Sequence, residues 1–189
     1  DGMDACREGD CLSGMVTVDA MLQLGQRYGA VAAICNGGGM RAGLPVGDIS
    51  KGDMLTMHPF GTTFAVRDYT GEQLWEALEH CVAEENGKGP RLLQAAGLRY
   101  VVDGSRPVGK RILKAEFVSP SGKAAPLELK KRYRIALTGY LTGGGDSFAM
   151  LGEGTPVAAP QVVIEELVGQ YIAQHSPLPM PSMPRIIHK

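Results

Sequence analysis

Hydrophobic residues recur every three or four positions in three stretches of this chain. The first stretch is residues 13–27, the second runs from Thr70 to near Gly87, and the third begins near Pro160. Such spacing places the apolar side chains on one face and is typical of amphipathic helices. The pattern therefore predicts three main helices, at the start, the middle and the end of the chain.

Two pairs of polar residues have the spacing of a helix capping box. Ser50 precedes Asp53 by three residues, and Thr70 precedes Gln73 by the same interval. In a capping box each side chain bonds the backbone N–H of the other residue, which stabilises the helix N-terminus. The pairs predict that a short helix through Met57 begins after Ser50 and that the middle helix begins after Thr70.

Shorter apolar patterns predict the strands. Residues 30–35 are continuously apolar, as in a strand buried on both faces. Alternating apolar and polar positions occur at residues 62–70, 97–103, 111–118 and 132–138. Helices separated by such strands predict an α+β fold, a single domain over residues 1–189 with a mixed β-sheet and about three main helices. Residues 176–189 form a proline-rich tail that we expect to be extended.

Composition and charge limit the classes of partner that we expect for this chain. The 189 residues include 19 Lys and Arg against 20 Asp and Glu, for a net charge of −1. No basic run or basic stripe with interleaved aromatic residues is present, so we expect no nucleic-acid partner. No stretch approaches the roughly 20 apolar residues that span a bilayer, so we expect no membrane span. The chain begins "DGMDACREGD", without an initiator methionine, and reads as a fragment of a longer or processed protein.

The four cysteines and four histidines show no metal-binding pattern. Cys6 and Cys11 lie five positions apart, which suits a local disulfide of an oxidising compartment, or two unrelated thiols. The residues alone leave both options open. Cys35 and Cys81 stand at apolar positions, where cysteine behaves as a small buried hydrophobic residue. The histidines lack ligand spacing, so we expect no metal site within this chain.

A glycine-rich segment, "NGGGMRAG", follows the apolar run. Residues 37–42 match the dinucleotide fingerprint G-x-G-x-x-A, but that fingerprint must open a helix. Pro45 and Gly47 fall where the helix would be, which argues against a dinucleotide site. Two other interpretations of the segment stay open. It is a non-helical loop whose backbone N–H groups and Arg41 bind a phosphate, or it is a tight turn with a solvated arginine.

Five stretches of the chain together resemble a known family. They are "CREGDCLSGMVTVDAML", "ICNGGGMRAGLPVGDIS", "HPFGTTFAVRDYTGEQLWEALE", "LLQAAGLRYVVD" and "GYLTGGGDSF". In this order they resemble the C-terminal, substrate-binding domain of the 5'-nucleotidases, a family that includes UDP-sugar hydrolases. The resemblance runs from about residue 5 to the tail, and the elements "NGGG-x-R" and "GGD-x-F" are specific in combination.

The resemblance implies roles for six residues. Asn36 would hydrogen-bond the nucleoside, and Asp146 would accept hydrogen bonds from the ribose hydroxyls. Tyr140, where the best-known members carry phenylalanine, would stack on the base opposite a second ring. The full set of substrate-binding residues is Arg7 and Arg41 for the phosphate, Asn36 for the nucleoside, Phe60 and Tyr140 for the base, and Asp146 for the ribose.

Each of these residues also has a structural alternative. The arginines can be solvated, the two rings can belong to the core, and Asn36 and Asp146 can be turn residues beside glycines. The resemblance favours the binding roles, and it also implies a disulfide between Cys6 and Cys11.

The same resemblance implies that catalysis lies elsewhere. In the family, an N-terminal metallophosphatase domain holds two divalent metal ions and a catalytic His–Asp pair. This chain resembles only the C-terminal part, so we expect no catalytic residue, no cofactor and no hydrolysis in the isolated fragment. The expected function is nucleotide recognition in a periplasmic or extracellular phosphohydrolase, with the N-terminal domain as partner. The alternative is a stand-alone, non-catalytic nucleotide-binding module.

Overall fold

The computed structural model of the chain describes residues 4–181 and 184–189. Its helices are Ala5–Glu8 (α1), Leu12–Gln26 (α2), Lys51–Met57 (α3), Gly71–Cys81 (α4), Gly139–Thr142 (α5), Ala149–Gly152 (α6) and Ile164–Gln174 (α7). Its strands are Ala32–Asn36 (β1), Phe64–Thr70 (β2), Leu93–Ala96 (β3), Leu98–Val102 (β4), Ile112–Val118 (β5), Ala124–Pro126 (β6), Arg132–Thr138 (β7), Thr155–Val157 (β8) and Ile186–His188 (β9). Single 3-10 turns occupy Gly37–Gly39, Glu85–Gly87 and Gly145–Ser147.

The strands form two mixed sheets. A five-stranded sheet has the order β3-β1-β7-β2-β8, and a four-stranded sheet has the order β6-β5-β4-β9. The pairs β1–β7 and β4–β9 are parallel, and the other pairs are antiparallel. The predicted α+β class is confirmed, but the strands divide between two sheets where we expected one.

Gly97 is the point at which the chain passes from one sheet to the other. It lies between β3 and β4 with φ +69°, a left-handed conformation that glycine adopts without the steric cost of a Cβ. A Cβ at this position would also collide with the carbonyl oxygen of Val31. The glycine therefore allows a sharp change of direction that splits an apparently continuous β-region.

The three longest helices of the described residues agree with the predicted ones. They are α2 with 15 residues, and α4 and α7 with 11 residues each. Helix α4 ends at Cys81 and does not reach the predicted end near Gly87. Gly87 belongs to a separate 3-10 turn and has φ +73°. Across the described ranges, no helix is both long and apolar enough to cross a membrane.

Helix α7 begins later than predicted, at Ile164 rather than near Pro160. The preceding residues are extended because their backbone bonds the segment before β2. Phe64 donates its N–H to the carbonyl of Val162 at 2.8 Å, and Ile164 donates to Thr62 at 2.9 Å. These hydrogen bonds hold residues 160–163 out of a helix.

Both predicted capping boxes are present. Ser50 Oγ accepts from the N–H of Asp53 at 3.2 Å, and Asp53 Oδ2 accepts from the N–H of Ser50 at 2.7 Å. Thr70 and Gln73 form the same reciprocal pair at 3.2 and 2.9 Å. The starts of α3 and α4 are therefore fixed by local sequence.

The five-stranded sheet is buried on both faces. Ala32 and Ile34 of β1 belong to a core cluster with α4 and the second sheet. Ala33 and Cys35 belong to a second cluster with α2, α3 and α7. Burial on both sides explains the continuous apolar run at β1.

The tail is extended, and its last part forms a strand. Ile186–His188 pairs in parallel with β4, and Arg185 donates its backbone N–H to Asp10 Oδ2 at 2.7 Å. The tail thereby ties the start of the chain to the second sheet. Residues 182–183 of the predicted tail lie outside the described residues.

Candidate functional site

A cavity of about 450 Å³ lies where β1 and β7 end. These strands are parallel, so Asn36 and Thr138 at their carboxyl ends meet at the same edge of the sheet. That edge is where α/β sheets commonly bind ligands, and the volume lies within the roughly 300–1,000 Å³ of ligand sites. Five of the predicted site residues line the cavity: Asn36, Arg41, Phe60, Tyr140 and Asp146.

Asp146 is the hydrogen-bonding centre of this group. Its Oδ1 accepts from the Tyr140 hydroxyl at 2.7 Å, and its Oδ2 accepts from Asn36 Nδ2 at 2.8 Å. The Tyr140 oxygen in turn accepts from the backbone N–H of Asp146 at 3.0 Å. The bond to Asp146 is the main reason that the pKa of Tyr140 is raised above its usual value. Each carboxylate oxygen retains a lone pair, so both can accept a further donor from a ligand.

The backbone of Asp146 has an unusual conformation that its surroundings hold in place. Its φ is +52°, and that of the next residue, Ser147, is +64°. Residues with a Cβ seldom adopt this region, and they do so where contacts compensate for the strain. His80 Nε2 lies 2.9 Å from the carbonyl oxygen of Asp146, and the His80 ring packs edge-on against buried Phe148. The backbone that carries the Asp146 carboxylate is therefore fixed in position.

Two exposed aromatic rings stand at the mouth of the cavity. Phe60 is 63% exposed and Tyr140 is 45% exposed, so neither ring is a core residue. One side of the Tyr140 ring lies against Gly145, where an added Cβ would approach the ring carbons to 2.5 Å. The core-packing alternative is wrong for both residues, and glycine at 145 is needed to seat the tyrosine.

Arg41 lies beside Phe60 at the same mouth. Its guanidinium carbon is 5.9 Å from the centre of the Phe60 ring, and its Nη1 is 3.5 Å from the carbonyl oxygen of Gly38. The ion pairs formed among the described residues do not include Arg41. An exposed arginine without an acidic partner is available to bind an anion.

Arg7 does not line this cavity. It lies in α1, its Nη1 is 3.3 Å from Asp4 Oδ1, and its side chain is 27% exposed. Helix α1 packs so closely against the glycine segment that a Cβ at Gly37 would collide with the carbonyl oxygen of Cys6. The structure thus places one of the two predicted phosphate arginines at the cavity and the other beside the adjoining loop.

The glycine segment has a packing role. Gly37 donates its N–H to the carbonyl of Leu92 at 2.8 Å, and Gly38 donates to Pro90 at 2.7 Å. These two N–H groups are already bonded, which disfavours for both glycines the alternative in which the backbone of this segment binds an anion. A Cβ at Gly38 would lie 3.0 Å from Pro90 Cβ, which explains the need for bare backbone here. The described residues 40–50 form no helix, as expected from Pro45.

The cysteines divide into one bonded and one free pair. Cys6 and Cys11 form a disulfide, with their Cα atoms 4.9 Å apart. Cys11 Sγ also accepts from the N–H of Gly14 at 3.2 Å and so caps α2. Cys35 and Cys81 are buried, and burial raises the pKa of both thiols to about 12. They are therefore protonated and packed as apolar residues.

The inner end of the cavity contains two polar residues that the sequence reasoning missed. His58 is 7% exposed, and its Nε2 lies 2.9 Å from Thr17 Oγ1. Burial lowers the pKa of His58 to about 4. The sequence signal that could have identified His58 was its position in the motif "HPFG", two residues before Phe60.

The metal ions implied by the family resemblance do not fit this chain. Over residues 4–181 and 184–189, no group of three or more His, Cys, Asp or Glu is arranged to hold a metal ion. We therefore assign no chemical step through a metal to the residues described above.

The structure is that of an α+β protein with a cavity lined by polar and aromatic side chains. The family described as "5'-nucleotidase, C-terminal domain" matches residues 2–153, and the chain belongs to this family. The crystal structure of the 5'-nucleotidase precursor from Thermus thermophilus superimposes with a TM-score of 0.92 and 31% identity. The match covers 98% of this chain and 37% of that protein.

Curated relatives give the same result and are all longer. The trifunctional nucleotide phosphoesterase protein YfkN of Bacillus subtilis is 36% identical over 141 residues, 74% of this chain and 10% of that protein. The apyrase of Aedes albopictus is 33% identical over 160 residues, 80% of this chain and 28% of the apyrase. The chain thus spans less than a third of the length of either relative.

Proposed function

We propose that this chain is the nucleotide-recognising C-terminal domain of a 5'-nucleotidase-like phosphohydrolase. A separate N-terminal domain with two divalent metal ions would hydrolyse the phosphate ester. The observation that carries the proposal is the convergence of Asn36 and Tyr140 on Asp146, whose carboxylate each of them bonds at the cavity. Asn36 is 110 positions from Asp146 in the sequence. A hydrogen-bonded carboxylate beside exposed rings suits a nucleoside.

The ribose and the base would each have their own contacts. Asp146 has spare lone pairs on both carboxylate oxygens, which suits two vicinal hydroxyl donors better than one. Phe60 and Tyr140 would stack on the base, each contributing about 1–3 kcal/mol by analogy with base stacking elsewhere. Asn36 would orient Asp146 and donate to the nucleoside.

The phosphate would be bound by arginine. Arg41 is exposed at the cavity mouth and presents a planar group of donors that matches phosphate oxygens. Arg7 would join it by exchanging its ion pair with Asp4, whose side chain is 74% exposed, for the ligand. Surface ion pairs of this kind contribute little free energy, so the exchange is feasible.

The proposed location is periplasmic or extracellular. A disulfide between Cys6 and Cys11 supports an oxidising compartment, because such bonds are rare in the cytosol.

The proposal is tested by calorimetric titration of the chain with adenosine and with 2'-deoxyadenosine. We expect adenosine to bind about 10-fold more tightly, because the deoxy compound lacks one donor to Asp146. The variant Asp146→Asn should weaken adenosine binding and remove the difference between the two compounds. Asp48→Asn, which changes an exposed carboxylate outside the cavity, is the matched control. Failure of both nucleosides to bind would contradict the proposal.

A further inference from the structure

The hydroxyl of Thr17 has a fixed hydrogen-bond direction. Thr17 Oγ1 lies 2.7 Å from the backbone carbonyl oxygen of Ser13, one helical turn earlier. A carbonyl oxygen cannot donate, so the single hydroxyl hydrogen must point toward Ser13. Thr17 Oγ1 is then an acceptor in every other hydrogen bond that it makes.

This direction fixes the tautomer of His58. His58 Nε2 is 2.9 Å from Thr17 Oγ1, and because Thr17 accepts there, Nε2 must carry a hydrogen and donate it. The burial that lowers the pKa of His58 to about 4 keeps the ring neutral near pH 7. In a neutral imidazole with a hydrogen on Nε2, the other nitrogen, Nδ1, is a bare acceptor.

His58 lines the cavity, and Nδ1 is its ring nitrogen that Thr17 does not bond. In the part of the chain that the structure describes, no residue donates a hydrogen bond to it. Among the described residues, Nδ1 is also not one of the fully buried side-chain N and O atoms that lack a hydrogen bond. His58 is 7% exposed, and we infer that this exposed part meets the cavity that the residue lines.

The neighbouring side chains do not compete with this acceptor. Cys35, Met40 and Ile164 line the same inner end, and all three are buried. The Cys35 thiol is directed to Met40 Sδ at 3.8 Å. In these apolar surroundings an acceptor without a partner costs free energy, which a ligand N–H recovers by donating to it.

We propose that His58 selects the base, with Nδ1 accepting a hydrogen bond from an exocyclic amino group at the inner end of the cavity. The inference rests on the proposed function, and it names the substrate class as nucleosides and nucleotides of amino-bearing bases. The site then prefers adenine to hypoxanthine, because the 6-oxo group of hypoxanthine would set two acceptors against each other.

The test compares adenosine with inosine by calorimetric titration of the chain and its variants. We expect unaltered protein to bind adenosine about 10-fold more tightly. His58→Leu removes the acceptor, so the ratio of the two affinities should fall close to one. His175→Leu, which changes a histidine outside the cavity, should keep the ratio.

A second variant and a spectroscopic readout act on the tautomer itself. Thr17→Val removes the oxygen that fixes it, so Nδ1 can then carry the hydrogen and donate to an oxo group, and inosine binding should improve. Nitrogen-15 NMR of the histidine ring should show the hydrogen on Nε2 in the unaltered protein and a shift toward Nδ1 in Thr17→Val.

The outcomes separate this inference from the proposed function. Equal binding of adenosine and inosine, an unchanged ratio in His58→Leu, or a hydrogen on Nδ1 in the unaltered protein overturns the role of His58 alone. Failure of both nucleosides to bind overturns the proposed function and this inference with it.

Discussion

Tyr140 bonds the same carboxylate that a ribose would use. Its hydroxyl donates to Asp146 Oδ1 and accepts from the Asp146 backbone N–H, while one side of its ring rests on Gly145. The phenylalanine of the best-known family members cannot make either hydrogen bond. In this chain the tyrosine hydroxyl restrains Asp146, and under the proposed function the ring would also stack on a base.

Two substitutions at this residue separate the functions. Tyr140→Phe keeps the ring, so adenosine affinity should change by less than about 3-fold. Tyr140→Ala removes the ring and should weaken adenosine binding about 10- to 100-fold, which corresponds to the roughly 1–3 kcal/mol of one stacking contact. Both affinities are measured by calorimetry. An equal loss in the two variants would show that the hydroxyl, and not stacking, supplies the binding free energy.

Sequence motifs predicted five of the fifteen residues that line the cavity, but not their interactions. Asn36 and Asp146 are 110 positions apart, and their hydrogen bond depends on where β1 and β7 end. His58 was missed because its spacing suggests no metal site. The argument for His58 depends on its hydrogen bond with the Thr17 hydroxyl. Thr17 is 41 positions away, and only the packing of α2 brings it close to His58.

Strands β2 and β7 are joined by an ion pair as well as by their ladder. Asp68 lies opposite Arg134, which donates from Nε to Oδ1 at 2.8 Å and from Nη2 to Oδ2 at 3.0 Å. Arg134 Nη1 also donates to the carbonyl of Tyr28 at 3.0 Å, just beyond α2. The pair therefore connects the central sheet to the helix that lines the cavity. The hydrogen bond from Arg134 lowers the pKa of Asp68 below its usual value.

This lowered pKa predicts an acid-dependent contribution to stability. The folded pKa of Asp68 is below its unfolded value of about 3.9, so the stabilisation is complete above that pH and is lost as the pH falls through the folded value. Asp68→Asn should lower the urea midpoint of unfolding at pH 7 and have much less effect near pH 2. Asp48→Asn serves as the control. A destabilisation by Asp68→Asn that is the same at both pH values would rule out this linkage.

Local sequence determined the long elements better than the short ones. Strand β7 has the predicted bounds, and the two capping boxes place the starts of α3 and α4, because the signals lie within the elements themselves. Strands β3, β6, β8 and β9 have only three or four residues and were not predicted. Strands β3, β8 and β9 exist because their backbones pair with strands distant in sequence, and no local pattern reports that pairing. Strand β6 pairs with the preceding strand, β5.

At the scale of the whole molecule, the described residues enclose one cavity lined by the predicted binding residues, and they include no group of three or more His, Cys, Asp or Glu that could hold a metal ion. The cavity mouth has one carboxylate, already bonded by Asn36 and Tyr140, and an exposed Arg41. The relatives that resemble this chain are several times longer, as the 37% coverage of the Thermus 5'-nucleotidase precursor shows. Under the proposed function, recognition and bond cleavage would lie in separate parts of the protein. The α+β class was predictable from sequence, whereas the division into two sheets depends on the turn at Gly97 and was not.

The last prediction concerns activity of the chain on its own. We expect it to bind adenosine yet to release no phosphate from AMP, with or without added Mn²⁺ or Zn²⁺. Metal-assisted hydrolysis needs an ion that activates a water molecule, and the described residues offer no group of three ligands for one. Calorimetry measures the binding, and a phosphate-release assay on gel-filtered protein measures the hydrolysis.

Asp146→Asn distinguishes true activity from a contaminating phosphatase in that assay. The variant should bind adenosine weakly, so phosphate release that depends on this chain must fall with it, whereas release by a contaminant would be unchanged. Metal-dependent release that elutes with the chain and is lost in Asp146→Asn would contradict the assignment of hydrolysis to a separate domain. The two-part arrangement predicts instead that release stays at the buffer level for both proteins, although only one of them binds adenosine tightly.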